Sequence, residues 1–238
     1  MTAPVLSPPD RDHEAAFLAA AAHAIRTPLN AIGLLAELSR QTSDSAGETA
    51  DDLQNSVMSL THLINDVIEI LQLDRGRIEI RPRPIAIEPL IASELDKLRP
   101  AAAKKGLELH RDGPMAGFML GTDPDKLSRI IGALLANAVH FSERGHVSID
   151  AQSGPSGGLR VTVGDSGPGV AADRAVAIFD EHLQLSRPAP QREQSHGSGL
   201  SLAIARRLAR QLGGTLELAN PGAAGASFVL TVADLSTP

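Results

Sequence analysis

Residues 23–29 read His-Ala-Ile-Arg-Thr-Pro-Leu and lie inside a long helical pattern. The apolar stripe of that helix runs through Ala21, Ile25, Leu29, Ile32 and Ala36, at spacings of four and three. His23 stands two residues from Ile25, about 200° around the axis, so it faces away from the stripe. That placement removes the commonest role of a helical histidine, a satisfied core residue. Pro28 cannot donate to the carbonyl of Ala24, and its ring crowds that carbonyl. The helix should therefore loosen one turn after His23, at a cost of roughly 3 kcal/mol.

Composition narrows the classes. The chain has 238 residues and is 42% hydrophobic, with no Trp, no Tyr and five Phe, so its core must be aliphatic. A net charge of -6 with so few aromatics argues against a nucleic-acid partner. The absence of cysteine excludes disulfides and thiolate zinc sites, and fits a reducing compartment. Residues 1–10 lack the charge and apolar run of a signal peptide. The longest apolar run, Ala15 to Ala22, falls short of the ~20 residues that span a bilayer. A soluble, cytoplasmic chain without membrane insertion is expected, with sensing left to a partner protein or to a part of the system outside this sequence.

Outward from His23, residues 1–11 are a proline-rich leader and a helix runs from about Asp12 to Gln41. Thr42 to Glu48 form a polar turn. A second helix follows, with Leu53, Val57, Leu60, Ile64, Val67 and Leu71 on one stripe. Leu63, Ile70 and Leu73 widen it. Residues 12–76 are thus expected to form an antiparallel hairpin whose stripes are too wide for one copy to cover, so two hairpins should pair in a four-helix bundle, the alternative being a single hairpin packed on the following domain.

After Arg75-Gly76 the pattern changes. Residues 77–87 alternate and carry two prolines, as a linker and edge strand do. Residues 88–238 then intersperse helices (about Glu88 to Lys105, from Thr122-Asp123-Pro124 through Leu135, and about Gly199 to Leu212) with strands. The strands are expected at Leu107 to His110, Gly117 to Leu120, His146 to Ala151, Leu159 to Gly164, Thr215 to Leu218 and Ser227 to Val232. The expected fold class is α+β: a helical hairpin followed by an α/β sandwich.

Three features of the second part carry chemistry. Asn137 offers an amide oxygen suited to a hard cation, and His140 shares its helical face. A surface role is the ordinary alternative for both. Val161 to Val170, V-T-V-G-D-S-G-P-G-V, ends a strand in an aspartate and two glycines. Either this is a simple turn, or the Asp165 carboxylate accepts from an adenine amine while Gly167 and Gly169 let the backbone approach the ring. His196 to Ile204, H-G-S-G-L-S-L-A-I, opens a helix at Gly197 and Gly199, where amides and dipole suit phosphate. Between the last two, Gln184 to Ser195 is polar and proline-rich, with Arg187 and Arg192, and reads as a lid.

The histidine stretch resembles the phosphoacceptor box of sensor histidine kinases. Asn137, D-S-G-P-G, the lid and G-S-G-L, in this order, resemble the ATP-binding domain that those kinases share with gyrase-type ATPases. Ile178-Phe179 resembles the family's phenylalanine box, and Gly222, Gly225, Ser227 and Phe228 its last glycine-containing strand. The resemblance covers about residues 13–233. It implies a homodimer, ATP and Mg²⁺ bound through Asn137 (the metal's oxygen), His140, Asp165, Gly167, Gly169, Gly197, Gly199, Leu200 and Ser227, and phosphoryl transfer to His23. It also implies passage of the phosphoryl group to a response-regulator receiver domain. Arg26 belongs to the histidine box. Thr27 and Asn30 would place water for dephosphorylation of that partner.

The chain departs from the family pattern at several positions. Ala24 stands where an acid usually follows the histidine, Ala133 where an asparagine precedes Asn137 by one turn, and His140 where a lysine is usual. His182 replaces a phenylalanine and Ser201 a glycine. The gyrase-type ATPases place a glutamate at Ala133 to activate water, and alanine cannot act as a base. Two other readings stay open: a phosphotransfer scaffold with a degenerate nucleotide site, and an ATP-binding switch that never modifies His23.

Overall fold

The computed structural model describes residues 21–22, 25, 29–30, 32–33, 46–75, 78–113, 117–154, 157–180 and 199–236; for residues 46–52 and 55 it gives the backbone only. The chain divides into two compact units, one of residues 78–179 and 201–238, the other holding the rest.

In the unit containing the N-terminal region, α1 spans Ala46–Asp74. It begins inside the stretch expected to be a turn, at Ala46 rather than after Glu48. Leu63, Val67, Ile70 and Leu73 are buried. Val57, Ile64 and Ile68 are 46%, 38% and 47% exposed. The stripe expected from the sequence is therefore split: one edge is covered and the other faces solvent. Before α1, residues 21–22, 25, 29–30 and 32–33 are helical; Ala21 is buried, whereas Leu29 of the same predicted stripe is 50% exposed. Asn30 is helical and exposed. His23, Arg26, Thr27 and Pro28 lie outside the described residues, as do the lid stretch 184–195 and Gly197.

The other unit is built on a five-stranded sheet. Its strands are β2 (Glu108–Asp112), β4 (His146–Ser153), β5 (Leu159–Asp165), β6 (Leu216–Leu218) and β7 (Ser227–Val232). The order is β2-β4-β5-β7-β6, and only the β2–β4 pair is parallel. β1 (Arg83–Ala86) and β3 (Met119–Thr122) form a separate antiparallel pair, as the prolines of the linker suggested for an edge element. Alternation puts one side chain in two on the buried face, and register lines them up: Ile149 opposite Val163 opposite Phe228, then Ala151, Val161 and Leu230.

Three helices cover that face. They are α2 (Ile87–Lys105), α3 (Pro124–Phe141) and α4 (Ser201–Gln211). α3 is central: it packs on α2, α4, β4 and β5. Leu127, Ile130, Ile131, Leu134 and Leu135 supply its fully buried stripe. Asp123 is its N-cap, accepting from the backbone N–H of Asp125 (3.0 Å) and Lys126 (3.1 Å), with Pro124 in the first turn. Thr122, where the helix was expected to start, ends β3 with its hydroxyl buried. At the other end of α3, the Lys105 ammonium donates to the carbonyls of Val139 (2.9 Å), His140 (2.6 Å) and Ser142 (3.2 Å). Such carbonyls have no partner within the helix, and a cation there also opposes the helix dipole.

Several boundaries move. β2 runs on to Asp112 because parallel pairing with β4 continues to Asp150, beyond the apolar alternation. Ile87 opens α2 rather than closing a strand, and α4 begins at Ser201 rather than Gly199. The segment after β7 folds back on β3: Leu235 N–H donates to the Gly121 carbonyl (2.7 Å), and the Asp234 carboxylate accepts from Gly121 N–H (3.1 Å). Ser236 gives Asp234 two more hydrogen bonds, through its hydroxyl and its N–H, and these hold that carboxyl below its ordinary 3.8.

Candidate nucleotide site

Asp165 is the last residue of β5, and its side chain is half-buried. One carboxylate oxygen, Oδ1, accepts from the backbone N–H of Gly167 (2.8 Å) and of Ala226 (3.1 Å). The backbone N–H of Asp165 donates in turn to the Ala226 carbonyl (3.0 Å). With Oδ1 held twice, the side chain is fixed, and Oδ2 makes no hydrogen bond among the described residues.

The glycines around it are needed by the protein's own backbone. A Cβ on Gly167 would lie 2.9 Å from the Phe141 carbonyl oxygen at the end of α3. Gly169 has φ +76°, and a Cβ there would come within 1.9 Å of the Ala223 carbonyl oxygen. Gly225, φ +72°, approaches the Asp165 carbonyl just as closely, with 2.3 Å left for a Cβ. Gly222 and Gly225 belong to the turn before β7 rather than to the strand. That turn is laced to the D-S-G-P-G segment by Gly225 N–H to the Gly167 carbonyl (2.9 Å) and Gly222 N–H to the Val170 carbonyl (2.7 Å). Gly167 and Gly169 thus meet a packing demand that their spacing did not reveal.

On its other flank the segment is tied to β4. Ser166 Oγ accepts from His146 N–H and lies 3.1 Å from His146 Nδ1. The His146 ring stacks on that of His110 at 5.3 Å. Behind Phe179, the Phe228 ring makes an edge contact at 6.2 Å and the Arg206 guanidinium lies 4.8 Å from the ring centre.

α3 brings its predicted residues to the same end of the unit. Asn137 is half-buried and its amide makes no hydrogen bond among the described residues. His140, one turn on, is half-buried and meets Phe141 edge-on at 4.7 Å. The contact between Gly167 and the Phe141 carbonyl joins this helix end to the Asp165 segment. Ser227 opens β7 opposite Gly164. Gly199 (φ +74°) and buried Leu200 immediately precede α4 in the chain. Among the described residues no cluster of three or more His, Asp or Glu is arranged to hold a metal. A separate cavity of about 340 Å³ opens between α2 and α3 beside Glu94, Lys97, Arg129 and Ala133, and contains none of the predicted site residues.

Sequence reasoning did not single out Ala226, whose N–H completes the Asp165 cradle, or Asn220, which shapes the turn that presents it. Asn220-Pro221-Gly222 is a recognisable turn signal, but nothing local connects it to Asp165.

Two family models match the chain. The His Kinase A (phospho-acceptor) domain covers residues 13–76, and the histidine kinase-, DNA gyrase B- and HSP90-like ATPase covers residues 122–235. The chain belongs to the sensor histidine kinase family. Sensor protein GacS of Pseudomonas syringae is 30% identical over 230 residues, a match covering 91% of this chain and 24% of that protein. The chain therefore spans about a quarter of such curated relatives. Among solved structures, full-length ShkA in complex with AMPPNP aligns with TM-score 0.60 at 28% identity, over 95% of this chain and 46% of that one. Histidine kinase ThkA in complex with the response regulator TrrA aligns with TM-score 0.70 at 18% identity, over 90% of this chain and 59% of that one. No helix among the described residues of this family member is long and apolar enough to cross a membrane.

Proposed function

We propose that this chain is the kinase core of a two-component system, binding ATP at Asp165 and transferring its γ-phosphoryl group to His23. The observation that carries the nucleotide half is the Asp165 carboxylate, with Oδ1 held by the Gly167 and Ala226 N–H groups. Oδ2 accepts from the adenine amine, and the amides ahead of α4, at Gly197, Gly199 and Leu200, receive phosphate oxygens. His140 and Ser227 border the nucleotide. Asn137 fits a magnesium ion, because its amide makes no hydrogen bond among the described residues and Mg²⁺ commonly takes one or two protein oxygens beside water and phosphate. When bound, the ion neutralises phosphate charge. Residues 1–11 serve as a leader, 12–76 as the phosphoacceptor hairpin, 77–87 as linker and 88–238 as catalytic domain.

The chemical step is an in-line displacement. An imidazole nitrogen of His23 attacks the γ-phosphorus, a nitrogen–phosphorus bond forms, and the bond to the β-phosphate oxygen breaks as ADP leaves. A neutral imidazole, with an ordinary pKa near 6.5, already offers a lone pair at pH 7, so Ala24 slows this step without forbidding it. The phosphoryl group then passes to a response regulator docked on a bundle of two hairpins, as ThkA's complex with TrrA supports by analogy of fold. Arg26 supports the histidine box, and Thr27 with Asn30 positions water for the reverse hydrolysis. The chain works in the cytoplasm as a homodimer.

Incubation of the purified chain with γ-labelled ATP and Mg²⁺, beside His23→Ala and Asp165→Asn, tests this. Acid-labile, base-stable label on the parent alone is expected. Binding of ATP without label would instead establish the ATP-dependent switch. Neither binding nor label would establish the phosphotransfer scaffold.

A further inference from the structure

We infer that Asn220 is a positioning residue that sets the preference of this site for adenine; the inference rests on the reading of Asp165 as the group that receives the base. Asn220 uses both ends of its amide. Nδ2 donates to the Gly225 carbonyl (3.1 Å), and Oδ1 accepts from the Ser227 N–H (2.8 Å). Two bonds spanning five and seven residues close the turn on both sides of Ala226.

Ala226 is the residue whose N–H holds Asp165 Oδ1, and whose carbonyl receives the Asp165 N–H. Gly225 in turn donates to Gly167, the other end of the cradle. Asn220 thus grips Gly225 and Ser227, the two residues flanking Ala226, and the Gly225–Ala226–Ser227 corner orients the carboxylate. Without it, Gly225, with its positive φ and no side chain, has the freedom to turn the Ala226 N–H away.

The consequence for the ligand is one of discrimination. Adenine presents an amine to Oδ2, whereas guanine presents a carbonyl oxygen at the same place. A carboxylate held in one orientation accepts from the first and repels the second. One free to rotate can avoid the guanine oxygen, so its rejection weakens.

The test is calorimetric titration of the full chain with ATP and with GTP, for the parent, Asn220→Ala, Asp165→Asn and Ile91→Ala. Ile91 is buried in α2, and its truncation lowers stability without touching the turn. Asn220→Ala should lower the ATP-to-GTP affinity ratio about tenfold, the scale of one well-made hydrogen bond, while Ile91→Ala leaves the ratio unchanged. Should Asn220→Ala fail to fold, Asn220→Asp, which keeps the acceptor for Ser227 and loses the donor to Gly225, must lower the ratio. A parental ratio in the Asn220 variant beside a lowered one in Asp165→Asn would overturn the role of Asn220 alone. A parental ratio in Asp165→Asn, or no ATP binding by the parent, would overturn the adenine reading and this inference together.

Discussion

At the scale of single residues, the site depends on places where a side chain is forbidden and on one carboxylate that is held. Gly169→Ala puts a methyl where a backbone oxygen already lies, in a backbone conformation that L-residues seldom adopt. It should lower stability by about 1–3 kcal/mol or more and abolish ATP binding, read by urea denaturation and by titration calorimetry. Asp234 supplies the pH term. Its folded pKa lies below 3.8, chiefly through the Ser236 hydroxyl, so the folded state favours the charged form. Stability from this group is complete above the unfolded pKa and is lost as pH falls through the folded one. Asp234→Asn should therefore flatten the acid limb of a Tm-versus-pH profile below about pH 4. Asp165 could be read from its own neighbours, because a strand ending in Asp-Ser-Gly-Pro-Gly is a local pattern. The partners that hold it could not, since Ala226 carries no side-chain signal and acts through its N–H.

At the scale of elements, the start of α3 and its apolar stripe were legible because the proline and the apolar period agree. What fixes its C-terminus was not. Lys105 sits 34 residues before the nearest of its three acceptors, and a lysine at the end of α2 looks like an ordinary solvated charge. Lys105→Met should free those carbonyls and cost about 1–3 kcal/mol, measured by chemical denaturation, with a weakened affinity for ATP because Asn137 and His140 ride on the same two turns. The end of β2 escaped the sequence for a different reason. Pairing partners decide where a strand stops, and apolar period alone cannot count residues in a parallel register.

At the scale of the whole molecule, the strand-and-helix alternation and the hairpin pattern were enough to give the fold class, a helical region followed by an α/β one. The sequence could not say which edge of the α1 stripe a single copy buries. Val57, Ile64 and Ile68, spaced by seven and four, remain open to solvent. If they form the seam of the proposed dimer, Ile64→Glu should give a monomer in sedimentation equilibrium while the Tm of the nucleotide-binding unit stays within about 0.5 kcal/mol equivalent of the parent.

The bond from Ala226 to Asp165 has one further consequence, and it concerns the order of events when the chain folds. Those residues stand 61 positions apart, whereas β4 with β5 and β6 with β7 are neighbours in the chain and can pair as local hairpins. Short loops close before long ones. The two hairpins should gain amide protection first in pulse-labelling, and competence to bind nucleotide should appear only in the last kinetic phase, when β7 docks along β5. A protein caught before that phase would have most of its sheet and no use for ATP.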